Sequence, residues 1–145
     1  MKQGVLPNKY LGIPLFQGRS SATLWKDLID SCVKRLDGWK GRWLSFAGKI
    51  LLLQTVISAI PIYSMSCLKI PLEVLKYIEQ RMQKFLWNGT LNEEKIPLIG
   101  WDSLCKPKKS GGVSLRRWRD VNKALGVKLI WEMYDNPDQL WVKIL

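Results

Sequence analysis

Apolar positions return at helical spacing over most of this chain. Leu24, Leu28, Cys32 and Leu36 recur every fourth residue with Ile29 beside them, while Lys26, Asp27, Asp30, Lys34 and Arg35 take the other side. That spacing predicts a first helix over about 22–36, capped by Ser20 or Ser21 and closed by Asp37-Gly38 with Gly38 in the left-handed conformation. Ser45 is placed to cap a second helix through 46–60, running on past a kink at Pro61. Gly48 in its first turn marks close packing or the close approach of a ligand backbone. Ile70-Pro71 opens a third helix, with Val74, Leu75, Ile78, Met82, Phe85 and Leu86 inward and Asn88-Gly89 as its stop. A fourth is predicted over about 115–134, with Trp118, Val121, Leu125 and Leu129 inward, broken by Asp135-Asn136-Pro137. A fifth starts near Asp138, and its apolar positions Leu140, Trp141, Ile144 and Leu145 run to the last residue, the pattern expected of a fragment. Extended structure is predicted for residues 9–16, ending in a turn, and more briefly for Ile96–Ile99 and Val113–Leu115. The expected fold is mainly α: a helical bundle, a small extended or hairpin segment, and C-terminal helices.

Residues 50–68 carry no charge, which meets the length test for a membrane span. Gln54, Thr55, Ser58, Ser64 and Ser66 interrupt the run, Pro61 breaks its hydrogen-bond ladder, and the polar positions fall on one side. A core helix with one wetter stripe is the preferred reading, with a span as the rival that detergent partitioning would test. The first 20 residues hold no apolar core of a secretory signal.

Charge and composition narrow the chemistry. The 145 residues are enough for one domain or two very small ones. Lys and Arg number 23 against 12 Asp and Glu, a net charge of +11. The excess sits at the ends, net +6 over residues 1–49 and +4 over 101–145, with +1 between. Such a balance points to a polyanion, nucleic acid before an acidic membrane, against the plainer reading of a well-solvated surface. Histidine is absent, which removes His-based acid–base catalysis, Ser-His and Cys-His nucleophile pairs and His-ligated zinc. Cys32, Cys67 and Cys105 lie too far apart for a CxxC pair and read as three buried or partly buried free thiols in a reducing compartment. Glu93-Glu94, the one acidic doublet, reads as a solvated turn. No phosphate-binding glycine motif and no GxSxG is present. Nothing here supports catalysis by this chain alone.

Two clusters resemble binding surfaces. Trp39, Lys40, Arg42, Trp43 and Lys49 combine cations for phosphates with aromatic faces for bases. The alternative is that Trp39 and Trp43 belong to the core. Lys106, Lys108 and Lys109 precede Gly111-Gly112, whose amides could approach a phosphate, and Arg116, Arg117 and Arg119 follow. The alternative there is a solvated hairpin tip. Trp25, Trp87, Trp101, Trp118, Trp131 and Trp141 read as core or interface anchors.

Five stretches, in order, resemble plant LINE-type (non-LTR) retrotransposon reverse transcriptases. They are Lys9-Tyr10-Leu11-Gly12-Ile13-Pro14-Leu15, residues 38–50 from Gly38-Trp39 to Lys49-Ile50, and Ile57-Ser58-Ala59-Ile60-Pro61-Ile62-Tyr63. Phe85-Leu86-Trp87-Asn88-Gly89 and residues 105–113, from Cys105-Lys106 to Gly112-Val113, complete the series. The resemblance implies that Tyr10, Leu11 and Gly12 form a primer-grip-like element at the end of a palm, residues 1–19. It implies a thumb-like bundle over 20–88 and a connection segment over 89–145, cut short at its C-terminus. The family's catalytic carboxylates lie upstream in a palm motif that this sequence lacks, so no catalytic residue carries over. Mg2+ is expected only in the full-length polymerase, and no metal or cofactor in this chain. The implied partner is an RNA–DNA or DNA duplex backbone, met by Lys40, Arg42, Trp43, Lys49, Lys106, Lys108 and Lys109, with no membrane. A missing palm or another protein would cover any exposed apolar surface, and the implied location is intracellular, in nucleus or cytoplasm. The expected function is that of a non-catalytic fragment of an RNA-directed DNA polymerase that binds template–primer nucleic acid. The alternatives are a helical protein-interaction fragment, favoured by a large exposed apolar patch, and a non-functional pseudogene product, favoured by a non-cooperative melt.

Overall fold

A computed structural model of the chain describes residues 8–16, 18–39, 41–89 and 96–144. The fold is mainly α. Its elements in chain order are β1 (Asn8–Tyr10), β2 (Ile13–Leu15), α1 (Lys26–Gly38), α2 (Phe46–Thr55), α3 (Ile60–Cys67), α4 (Leu72–Asn88), α5 (Trp101–Leu104), α6 (Trp118–Asp135) and α7 (Leu140–Ile144). Short 3-10 turns lead into α1, cross Gly41–Trp43 and join α2 to α3.

The extended N-terminal segment is an antiparallel hairpin, with Asn8 paired to Leu15 and Tyr10 to Ile13. Leu11 and Gly12 turn it with φ of +52° and +82°, the two positive values a tight two-residue hairpin turn requires. Pro14 is buried, and an ion pair from Lys9 to Asp27 fastens the hairpin to the start of α1.

α4 is the central helix. It packs against α1, α2, α6 and the 41–43 turn, while α3 packs on α1 and α6. Its inward positions are those the spacing predicts: Val74, Leu75, Ile78, Met82, Phe85 and Leu86 are all buried. One core joins them to Trp25, Cys32, Leu36, Leu53, Ile57, Met65, Ile70, Leu104, Leu115 and Trp118. Burying a side chain of this size is worth about 1.5–3 kcal/mol, so this cluster is the main source of stability.

The helix ends follow the predicted stops only in part. Ser45 caps α2, its Oγ accepting from the Gly48 amide at 3.1 Å. Neither Ser20 nor Ser21 caps α1. Ser20 Oγ accepts instead from the Trp25 indole at 2.7 Å, and Ser21 Oγ pairs with Thr23 Oγ1 at 2.8 Å. α1 does not close on a left-handed Gly38, because the chain leaves it through an extended Trp39. α4 does end on a left-handed residue, Gly89.

Phe46–Cys67 is the one run among the described residues long and apolar enough, by length and composition, to cross a membrane. It is broken before Pro61 rather than at it. The proline ring excludes the carbonyl one turn back, so the α-ladder gives way to a 3-10 turn at Ile57–Ala59 and restarts at Ile60. Of the polar positions expected to form a wetter stripe, Thr55 is exposed and Gln54 and Ser66 are half-buried, but Ser58 and Ser64 are buried. Ser58 Oγ donates to the Leu53 carbonyl at 2.8 Å, which is why a hydroxyl is tolerated there.

Two expected strands are not formed. Residues 96–99 are irregular and exposed. Val113–Leu115 forms no ladder, although the Val113 amide donates to Leu104 O and the Ser114 amide to Lys106 O, each at 3.0 Å. The short helix α5 falls in a stretch whose pattern predicts none. Glu93 and Glu94 lie outside the described residues.

Candidate nucleic-acid interface

The turn at Gly41–Trp43 packs against the end of α4. A Cβ on Gly41 would lie 2.3 Å from the Gly89 carbonyl oxygen and 2.7 Å from the Phe85 ring, so only glycine lets the two backbones meet. This crossing separates the two tryptophans. Trp39 is drawn inward, its ring 5.6 Å from that of Phe85. Trp43 stays 86% exposed, a free aromatic face. Phe46 follows it and leans on Trp87, with ring centroids 5.4 Å apart. Lys49 is half-buried, and its Nζ donates to the Leu86 carbonyl at 3.4 Å, where the last turn of α4 favours a cation. Lys40 and the Arg42 side chain lie outside the described residues.

The second cluster is a closed loop. The Gly111 amide donates to Lys108 O and the Gly112 amide to Pro107 O, both at 3.2 Å. The glycine amides are therefore engaged inside the loop and do not form the phosphate cradle the sequence led us to expect. A Cβ on Gly112 would stand 2.0 Å from the Lys106 carbonyl oxygen, which makes this glycine a requirement of loop closure. Lys106, Lys108 and Lys109 are all exposed on the result. Gln54, near the end of α2, holds the loop in place by donating from Nε2 to Val113 O at 2.6 Å. Through this bond the C-terminal flank of the loop lies against the end of α2, while Trp43 precedes the start of that helix.

The arginines that follow are partly engaged elsewhere. Arg117 donates from Nη2 to the Asp102 carbonyl at 3.2 Å, with Nε 3.6 Å from the Asp102 carboxylate. Arg119 lies 3.9 Å from Asp120, and Arg116 is exposed.

Glu79 on α4 is a structural position that sequence reasoning passed over. Its Oε1 accepts from the Trp118 amide at 3.2 Å, so a side chain from another helix caps α6. Burial pushes its carboxyl above the ordinary value and Asp102 adds to that, while the Trp118 amide, the nearby Trp101 indole and Arg119 pull the other way. Its only sequence signal is a carboxylate beside the inward-facing Ile78. Glu79, Trp101, Asp102, Arg117 and Arg119 line a groove of about 300 Å³.

The thiols differ from expectation at one position. Cys32 is buried and Cys105 partly so, but Cys67 is exposed. Burial pushes Cys32 up to about 12 and Cys105 up to about 11, the latter with a further push from Glu79, so neither is an activated nucleophile at neutral pH. Among the described residues no three acidic or thiol side chains gather as a metal-binding group.

At the hairpin, Leu11 is 72% exposed at the turn, while the Tyr10 side chain lies outside the described residues.

No family model matches the chain, and no solved structure matches it. The chain is 32% identical over 133 residues to a protein of Arabidopsis thaliana named as a ribonuclease H protein, a match covering 92% of this chain and 22% of that protein. It is 32% identical over 88 residues to an uncharacterized mitochondrial protein of the same plant, covering 60% of this chain and 57% of that protein. The chain thus spans about a fifth of the first relative and just over half of the second.

Proposed function

We propose that this chain is a retroelement-derived, thumb-and-connection segment of a reverse transcriptase, which grips a template–primer duplex through its backbone. In this reading residues 1–19 form the end of a palm, 20–88 the thumb and 89–145 the connection. The observation that supports it is the exposure of Trp43 ahead of α2 and of Lys106, Lys108 and Lys109 on a closed loop whose flank, Val113, is bonded to Gln54 near the end of that helix. Lysines on a closed loop neutralise phosphates without reading sequence, and an exposed indole stacks on a base or sugar. Leu11 at the hairpin turn would meet the primer end. The relative named for ribonuclease H accords with this reading, since reverse transcriptases process RNA–DNA hybrids. The chain supplies grip, with no catalytic group of its own, and Mg2+ chemistry would belong to a palm.

The test is binding of the purified chain to a labelled RNA–DNA hybrid across a range of salt. Log K is expected to fall linearly with log salt, and replacing Lys106, Lys108 and Lys109 with alanine is expected to flatten the slope by about 2–3. Trp43→Ala is expected to weaken binding by about 1–3 kcal/mol at every salt concentration. A folded chain that ignores the hybrid at low salt, or a slope that survives the triple substitution, would reject the reading.

A further inference from the structure

A cleft of about 410 Å³ lies beside the C-terminal half of α4. Gln80, Gln83, Lys84, Trp87 and Asn88 line it from the helix, and Ile96 and Pro97 line it from the segment that follows. Its volume falls within the range of about 300–1,000 Å³ in which small-molecule sites lie. Gln80 is exposed and Gln83 half-buried, and neither carboxamide has a hydrogen-bond partner among the described residues. Ile96 is 89% exposed, an apolar side chain that an occupant would cover.

The lining says what fits. Each carboxamide offers a donor and an acceptor side by side, the pattern that matches the edge of a nucleobase. Trp87 offers an indole, and every base has a face that stacks on an aromatic ring. Unpaired bases are recognised by this combination, stacked on a ring and bonded along their edges, because a duplex hides both. The cleft also continues the aromatic surface already described. Trp87 is 5.4 Å, centroid to centroid, from Phe46, which is itself 43% exposed and three residues beyond Trp43. We propose that this cleft takes an unpaired base from a single strand that extends beyond the duplex. The inference rests on the reading of this chain as a duplex-gripping segment, and adds to the phosphate contacts a site for a base.

The experiment compares three labelled probes against the full chain at one fixed salt concentration, since phosphate contacts change with salt. They are a blunt RNA–DNA hybrid, the same hybrid with an adenine overhang at one end or the other of its RNA strand, and the same overhang made abasic. Adenine is the base whose edge a carboxamide matches in both donor and acceptor. The adenine overhang is expected to bind at least about fivefold tighter than the blunt hybrid, the low end for one stacked base. The abasic overhang, with the same phosphates, is expected to lose most of that gain. Gln80→Leu with Gln83→Leu keeps size and charge, and is expected to cut the base-dependent gain by at least about threefold. Trp87→Ala is expected to remove what stacking leaves. Trp87 also packs against the core, so the glutamine pair and the abasic probe carry the test if that variant does not fold. A chain that ignores even the blunt hybrid rejects the duplex reading and this proposal with it. A chain that binds the blunt hybrid but gains nothing from the overhang overturns this proposal alone. So does an equal gain from the abasic overhang, or a gain that survives the glutamine substitutions.

Discussion

Glu79 shows how much one side chain can carry across an interface. Its carboxylate caps α6 from α4, satisfying an amide that α6 cannot satisfy itself. Capping favours the charged form and burial opposes it, and the net result is a carboxyl that holds its proton above the ordinary glutamate value of about 4.3. The sign of the pH effect follows. Between the unfolded and the raised native value the folded state binds more protons, so unfolding free energy falls as pH rises through that window. Glu79→Gln keeps an oxygen for the Trp118 amide but removes the titration. It is expected to flatten the decline of stability just above the ordinary carboxylate range, measured by urea denaturation at stepped pH. Parallel curves for the two proteins would show that Glu79 does not set this dependence. Trp39 and Trp43 make the complementary point. Four residues apart, they divide into a core residue and a surface residue because Gly41 brings the loop down onto Gly89.

At the scale of elements, helices with one apolar stripe are where the spacing predicts them, because a stripe of that period buries itself on one face only. α4 follows the pattern through its whole length. Loops and short elements are less legible. The helix-breaking effect of Pro61 appears a turn earlier than the residue itself, since the clash is with a carbonyl behind it. The basic loop owes its shape to close approach. A methyl group on Gly112 would overlap the Lys106 carbonyl, whereas one on Gly111 meets open space and only a φ of +81° opposes it. Gly111→Ala is therefore expected to cost about 1–2 kcal/mol, the ordinary penalty for a left-handed residue. Gly112→Ala should cost more and displace the three lysines. Thermal melts of the two variants, read beside their affinity for an RNA–DNA hybrid, check this, and equal effects would refute it.

At the scale of the molecule, a polar side chain holds the last long helix to the bundle. Asn122 is buried, accepting from the Ile70 amide at 3.2 Å and donating to the Ile70 carbonyl at 2.9 Å. It joins α6 to the segment between α3 and α4, and Leu104, Leu115 and Trp118 extend the same core. Asn122→Leu fills the volume but leaves two buried backbone groups unpaired. It is expected to lower stability by about 2–4 kcal/mol, read from the midpoint of urea unfolding at unchanged slope. A change below about 0.5 kcal/mol, the usual range for a surface site, would show that the pair does not hold the helix. The one hint in the sequence is a polar residue in phase with the inward positions of α6.

The sequence by itself determined the helical class, the inward faces of α1 and α4 and the α2 cap. These depend on local quantities: the period of apolar residues and the hydroxyl of Ser45. Only the tertiary structure decided which tryptophan faces water, which glycines are forced by contact, where the amides of Gly111 and Gly112 are satisfied, and which side of α6 is left uncovered. Each of those depends on what a distant segment brings alongside. A helical period records that a face is apolar, but not whether the rest of the chain reaches it.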